Sequence, residues 1–337
     1  MASTFGNKIK ISIFGQSHST AIGMSLDNIP AGMILDEEKL KAFMERRAPG
    51  RSLTSTQRKE GDEPEFLSGF MEDDAGRLVT CGAPISAIIR NEDAKSEDYD
   101  ELKDMPRPGH ADFTAHIKYG GFEDYRSGGH LSGRLTAPLC VAGGIAIQVL
   151  EQLGITVSAE IDEIGGKKIG SWDEAEALIE EAKTDGDSIG GIVRCIVKGM
   201  HAGIGGPIFD GVENRISQVV FGIPAVKGIE FGAGFQASAM KGSENNDPYT
   251  VDDSGNVITE TNNAGGILGG ISTGGDIVFR VAFKPTPSIA KEQQSISYTD
   301  GEIANITVKG RHDPCIVPRA VPVVEAAAAL AILDLIL

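Results

Sequence analysis

Positive charge is scarce in this sequence: 31 Lys and Arg stand against 48 Asp and Glu, a formal net charge of −17. Nucleic acid and anionic membrane surfaces both demand a broad basic footprint, so neither is expected as a partner. Cysteine is equally sparse. Cys81, Cys140, Cys195 and Cys315 lie far apart, with no C-x-x-C pair and no histidine at metal-ligand spacing. A disulfide framework is therefore excluded and no metal site is expected; four buried free thiols in a reducing cytoplasm are. Aromatic residues make up only 6% of the 337 positions, so aliphatic side chains must build the core. The opening MASTFGNKIKISIF lacks the basic-then-apolar plan of a signal peptide, and no apolar run reaches the length of a membrane span. Nor is there a P-loop, or a G-x-G-x-x-G between a strand and a helix, which disfavours a doubly wound nucleotide fold.

Glycine, by contrast, is abundant at 43 residues, and it concentrates where the few cations do. PRPGHADFTAHIKYGGFEDYRSGGHLSGRLTAP (Pro106 to Pro138) sets Arg107, His110, Lys118, Arg126, His130 and Arg134 among glycines. Glycines let a backbone approach a ligand, guanidinium forks match carboxylate and phosphate, and an imidazole moves protons near neutral pH. The combination points to a small polyanionic ligand and acid–base chemistry; a Gly-rich loop of solvated charges is the plainer alternative. Arg46, Arg47 and Arg51 cluster at the end of a helix capped by Asp36, where they either complement the helix dipole or bind an anion. His18 sits in a turn after an alternating strand, Lys8 to Phe14.

Further along, Leu78 to Arg90 reads as strand broken at Gly82 to Pro84, and Leu53 to Gly69 as a polar loop. Leu139 to Gly154 is apolar almost throughout, a buried helix whose Gly143 and Gly144 admit another backbone. Strands are expected at Ile155 to Ile164, Ile192 to Lys198, Val226 to Phe231, Ile277 to Phe283 and Ile303 to Val308. Ser171 with Glu174 forms a capping box, Asp210 a cap for a helix to Val220, and Val323 to Ile336 a final helix. Gly242 to Asn263 reads as exposed loop, and Gly265 to Ile271 as a small-residue run suited to a planar ligand. With no linker to split it, residues 1–337 are expected to form one α+β domain, with two similar halves as an open alternative.

At this point the chain resembles the chorismate synthase family. The match is carried by FGQSHS (Phe14–Ser19), RRAPGRS (Arg46–Ser52), RPGHAD (Arg107–Asp112), KYGGFEDYRSGG (Lys118–Gly129), GDSIGG (Gly186–Gly191), AGGILGGIS (Ala264–Ser272), FKPTPSI (Phe283–Ile289) and GRHDPCIVPRAVPVVEA (Gly310–Ala326). The resemblance implies helices packed with antiparallel sheets in a β-α-β sandwich, and a homotetramer. It implies 1,4-anti elimination of phosphate from 5-enolpyruvylshikimate 3-phosphate to give chorismate, in the shikimate pathway. The reaction needs reduced FMN without net redox change; some relatives reduce it themselves with NAD(P)H and others rely on a separate reductase.

By position, the resemblance makes His18, His110 and Asp313 catalytic. His130, Leu131, Ser132, Ala225, Gly269, Lys284, Pro285, Thr286, Pro287, Ser288 and Arg311 would contact the flavin, and Arg46, Arg47, Arg51, Arg107 and Arg134 the substrate. The chain departs from the family pattern at Gln16 (usually Glu), at His130-Leu131-Ser132 (usually R-S-S), at Pro224 and at Asn263. The altered triplet keeps two alternatives open: a flavin-independent phospho-acid lyase, or a non-catalytic flavin- or metabolite-binding relative.

Overall fold

Alternating side chains write the sheets of this protein. In Ile277–Phe283 every second residue, Ile277, Phe279, Val281 and Phe283, is buried. The computed structural model of the chain describes residues 3–48, 61–91, 103–308 and 313–337.

Two five-stranded antiparallel sheets organise the described residues. The first uses β1 (Thr4–Phe5), β2 (Lys10–Gly15), β3 (Ala21–Asp27) and β4 (Glu65–Ser68). A ribbon of β5 (Phe70–Glu72) and β6 (Leu78–Thr80) then leads to β7 (Ile85–Arg90), and the sheet order is β1-β2-β3-β7-β4. The second sheet uses β8 (Thr156–Ile164), β9 (Lys167–Lys168), β10 (Gly191–Lys198) and β11 (Val226–Phe231). Two ribbons follow, β12 (Tyr249–Val251) with β13 (Val257–Thr259), and β14 (Ile267–Leu268) with β15 (Ile271–Ser272). Then β16 (Ile277–Phe283) completes the order β11-β16-β10-β8-β9; β17 (Gln293–Ile296) and β18 (Ile303–Ile306) form a last ribbon.

Helices α1 (Glu37–Arg47), α3 (Thr136–Gln152), α5 (Val212–Val220) and α7 (Val317–Ile336) fill the space between the sheets. The others are α2 (Asp112–Tyr119), α4 (Trp172–Thr184) and the single turn α6 (Gly242–Asn245). Helix α3 lies on β3 and β7, α7 lies on β8 and β10, and the two helices pack on each other. Their contact is close because Gly143 faces α7: a Cβ there would stand 2.2 Å from the Cβ of Ala326. One apolar core therefore runs through both sheets and all four helices. The result is the expected α+β sandwich. Two similar halves are legible in it, since β3-α1-β4-β7-α3 and β10-α5-β11-β16-α7 follow the same order, with β7 and β16 each central in its trio.

Several expectations need correction. Glu65–Ser68 is not loop but the edge strand β4, with Phe66 set edge-on to Phe70 at 5.0 Å; its polar residues suit an edge that meets water. Leu53 to Glu60 lies outside the described residues. Helix α2 was hidden inside the glycine-rich stretch because it has no apolar stripe: Ala115 alone is buried, and Phe113 and Ile117 are exposed. Gly242 to Asn263 contains α6 and the β12–β13 ribbon. Helix α5 is capped not by Asp210 but at Gly211, where the Val212 N–H donates to the Gly270 carbonyl at 2.9 Å. Helix α7 begins earlier than Val323, at Val317, because Pro318 occupies a first turn whose N–H groups have no helical partner anyway. Cys81 is exposed, while Cys140, Cys195 and Cys315 are buried. The helical run Arg126–Gln152 is long and apolar enough by composition to cross a membrane, yet 89% of its most apolar window is buried inside the fold.

Candidate active site

The glycine-rich stretch supplies the floor of a large cavity. Between α2 and α3 the chain turns through Ser127, Gly128 and Gly129, all with positive φ. At Gly128 a Cβ would stand 2.9 Å from His110 Cε1, so glycine lets the backbone lie directly against the imidazole. Ser132 then caps the next short turn, Gly133–Leu135, its hydroxyl accepting from the Arg134 N–H, and this turn, leading into α3, sets Arg134 in the cavity lining.

The cavity measures about 1070 Å³. Its basic wall contains Arg47, Arg107, His110, Arg134, Lys284 and Arg319, and the carboxylate of Asp313 lies among them. Phe5, Ile11, Ile13, Leu135, Leu139 and Ile223 give another part of the lining an apolar character.

Each cation is held from behind. Arg47 and Arg134 both donate to Asp62, which is itself buried. Arg47 also donates to the Thr136 hydroxyl and the Gly133 carbonyl, both at 3.2 Å. Burial pushes the Asp62 carboxyl up, but the two guanidiniums outweigh it and hold the group below the usual carboxylate range. Arg107 grips Asp112 with Nε at 2.7 Å and Nη2 at 2.9 Å, and its Nη1 donates to Ser288 Oγ at 3.2 Å. His110 Nδ1 lies 2.6 Å from Asp112 Oδ1. Burial lowers the His110 pKa, with Arg107 and Lys284 adding to the effect and Asp112 opposing it, so the ring rests neutral at pH 7. Lys284 donates to the Gly109 carbonyl, and burial followed by Lys227 lowers its pKa.

Arg319 was given no role by the sequence, though it lies in one of the matching motifs. It reaches Asp313 Oδ2 at 2.5 Å and the Arg47 carbonyl at 3.0 Å, tying α7 to the end of α1. Asp62 and Asp112 were likewise missed. For Asp62 no local signal exists; Asp112 had one, since a carboxylate two residues after a histidine at a helix start can fold back onto it.

Of the anticipated residues, the structure brings Arg47, Arg107, His110, Arg134 and Asp313 to the cavity. His130, Leu131, Ser132, Ala225, Lys284, Thr286, Pro287 and Ser288 join them there. Four others stand elsewhere. Arg46 forms a bidentate pair with Glu325 at 2.7 and 2.9 Å and lies outside the cavity lining. Pro285 packs towards Gly190, and Gly269 sits at the tip of the β14–β15 turn. His18 is half-buried in the turn after β2, which docks through the Ser17 N–H on the Gly129 carbonyl at 3.1 Å. Arg51 and Arg311 lie outside the described residues. His130 is already engaged: Nδ1 meets the Gly15 carbonyl at 2.7 Å and so must donate, leaving Nε2 to accept from Ser3 Oγ at 2.8 Å.

Comparison with known proteins agrees with this architecture. The family model described as chorismate synthase matches residues 9–337. A chorismate synthase of Chitinophaga pinensis is 49% identical, the alignment covering 99% of this chain and 96% of the relative. That of Korarchaeum cryptofilum is 46% identical over 98% and 96% of the two chains. A crystal structure of chorismate synthase superposes with a TM-score of 0.74 at 26% identity, covering 98% of this chain and 92% of the other. The chain thus belongs to the chorismate synthase family, a family of carbon–oxygen lyases.

Proposed function

We propose that this enzyme eliminates phosphate from 5-enolpyruvylshikimate 3-phosphate in a 1,4-anti sense, giving chorismate, with reduced FMN bound beside the substrate. The observation that carries the reading is a cationic cavity inside a chain of net charge −17. A substrate with two carboxylates and a phosphate matches such a wall.

The chain's residues fit a flavin. At about 1070 Å³ the cavity is at the upper end for a single small ligand, leaving room for two side by side. Thr286 Oγ1, in its lining, is buried without a hydrogen-bond partner among the described residues, which suits a polar ligand atom. Ser132, Ala225, Lys284, Thr286 and Ser288 would hold the group, with the apolar lining against its rings. When bound, reduced FMN supplies electron density to the substrate ring and receives it back, so no net redox change results.

The residues divide the remaining tasks. Arg47, Arg107 and Arg134 bind the anionic groups and favour the charge that develops as the C–O bond breaks. His110, protonated when the phosphate enters, hands its proton from Nε2 to the leaving group. Asp313, oriented by Arg319, takes the proton lost from C6. We further propose a homotetrameric, cytoplasmic enzyme; light scattering of the purified protein checks the first part.

An anaerobic assay with photoreduced FMN and 5-enolpyruvylshikimate 3-phosphate tests the whole. Chorismate absorbance should appear only when the flavin is reduced. Turnover without flavin, or flavin binding without turnover, overturns the proposal.

A further inference from the structure

We propose that Asp112 is the positioning residue that fixes His110 with Nε2 as its working nitrogen and locks Arg107 beside it. Asp112 does not line the large cavity. It lines a smaller one of about 180 Å³ behind it, and His110 borders both. One carboxylate makes four bonds here: to Arg107 through N at 3.1 Å, Nε at 2.7 Å and Nη2 at 2.9 Å, and to His110 Nδ1 at 2.6 Å.

The tautomer follows from these contacts. Although burial alone would raise the Asp112 pKa, hydrogen bonds from Arg107 and His110 hold it far below the usual carboxylate range. The carboxylate therefore has no proton to give, and Nδ1 must be the donor. Neutral His110 then carries its lone pair on Nε2, and gains its second proton there. Arg107 Nη2, 3.0 Å from Nδ1, is a neighbour on the shared oxygen Oδ1 and not a donor to the ring. Asp112 opens α2, where a negative charge also complements the helix dipole.

Other charges face the imidazole. On its own segment stand Arg107 and Asp112, and Lys284 follows β16. Across the smaller cavity lie Glu123, Asp124, Tyr298 and His130. Among the described residues, only Asp112 accepts a hydrogen bond from the ring. Removing its charge leaves Arg107 and Lys284 unopposed at close range, so the His110 pKa falls further. An acid catalyst must be protonated to act. The alkaline, descending limb of the kcat profile therefore moves to lower pH when the Asp112 charge is lost.

This inference rests on the reading of His110 as the acid that serves the leaving phosphate, so its test has a part that needs no substrate. Nitrogen-15 spectra of the histidine-labelled full chain, without ligands, should show His110 as the Nδ1–H tautomer. In Asp112→Asn its titration should move to lower pH, kcat should fall about a hundredfold at neutral pH, and the descending limb should shift the same way. Asp112→Glu, which keeps the charge, should restore part of both. An Nε2–H tautomer in the wild type overturns the proposal even if the variants fail to fold, and so does an Asp112→Asn variant whose His110 titration and limb stay in place. If the spectra behave as stated while the wild type makes no chorismate, the proposed reaction fails and the positioning role stands.

Discussion

Arg280 on the second sheet and the Arg47–Arg134 pair in the cavity wall use the same chemistry in opposite surroundings. Arg280 donates to three carboxylates, Asp162 at 2.7 Å, Glu163 at 2.5 Å and Glu230 at 2.6 Å, and its side chain is 26% exposed. Arg47 and Arg134 both donate to the carboxylate of Asp62, and all three side chains are almost sealed from water. A guanidinium surrounded by acids has no charge left to offer, and water screens what remains. Among the described residues, the cavity lining gathers Arg47, Arg107, Lys118, Arg134, Lys284 and Arg319 with one carboxylate, Asp313, a positive balance that an anionic ligand can meet. The sign of the imbalance, more than the number of ion pairs, marks the binding surface.

That contrast can be broken by mutation. The largest effect should come from the cavity wall. Arg47→Ala or Arg134→Ala should lower kcat/KM by about a thousandfold, since a buried charge contact with an anion contributes a few kcal/mol. Asp62→Asn should come next, losing about 3–5 kcal/mol in denaturant unfolding because two buried cations lose their shared anion. It should also alter the acid response. Asp62 and Asp112 have folded pKa values below their unfolded ones, so their contribution is present above about pH 4 and lost as pH falls through the folded values. Wild-type stability should therefore decline in that acid range, and Asp62→Asn should decline less steeply. Gly143→Val, at the α3–α7 contact, should cost about 1–3 kcal/mol by overpacking. Arg280→Gln should sit at the bottom of the scale, within about 1 kcal/mol in stability and about twofold in turnover.

How far the sequence could be read follows the same division between local and distant. The central strands β10 and β16 were legible because burial repeats every second residue: they run Gly191–Lys198 and Ile277–Phe283, against the expected Ile192 to Lys198 and Ile277 to Phe283. Asp36 was legible as a cap because its partner, the Lys39 N–H, is three residues away. Gly143 announced a close helix contact by breaking an otherwise apolar run. Asp62 could not be found that way; its partners lie 15 and 72 residues off, and only the fold brings them together. Arg319 lies six residues from Asp313, but the direction it takes depends on where α7 begins, and two prolines obscured that start. The motifs placed Arg46 and Arg47 side by side in sequence. Helix geometry separates them, one towards Glu325 and the other into the cavity wall.

FMN fluorescence, titrated with the protein in the presence of 5-enolpyruvylshikimate 3-phosphate, tests the cationic cavity most directly. Quenching that saturates at a fixed flavin-to-chain ratio, and that weakens at least about tenfold in Arg47→Ala, is the expected result. Quenching that never develops, or that is indifferent to loss of this guanidinium, contradicts the cavity as the meeting place of the two ligands.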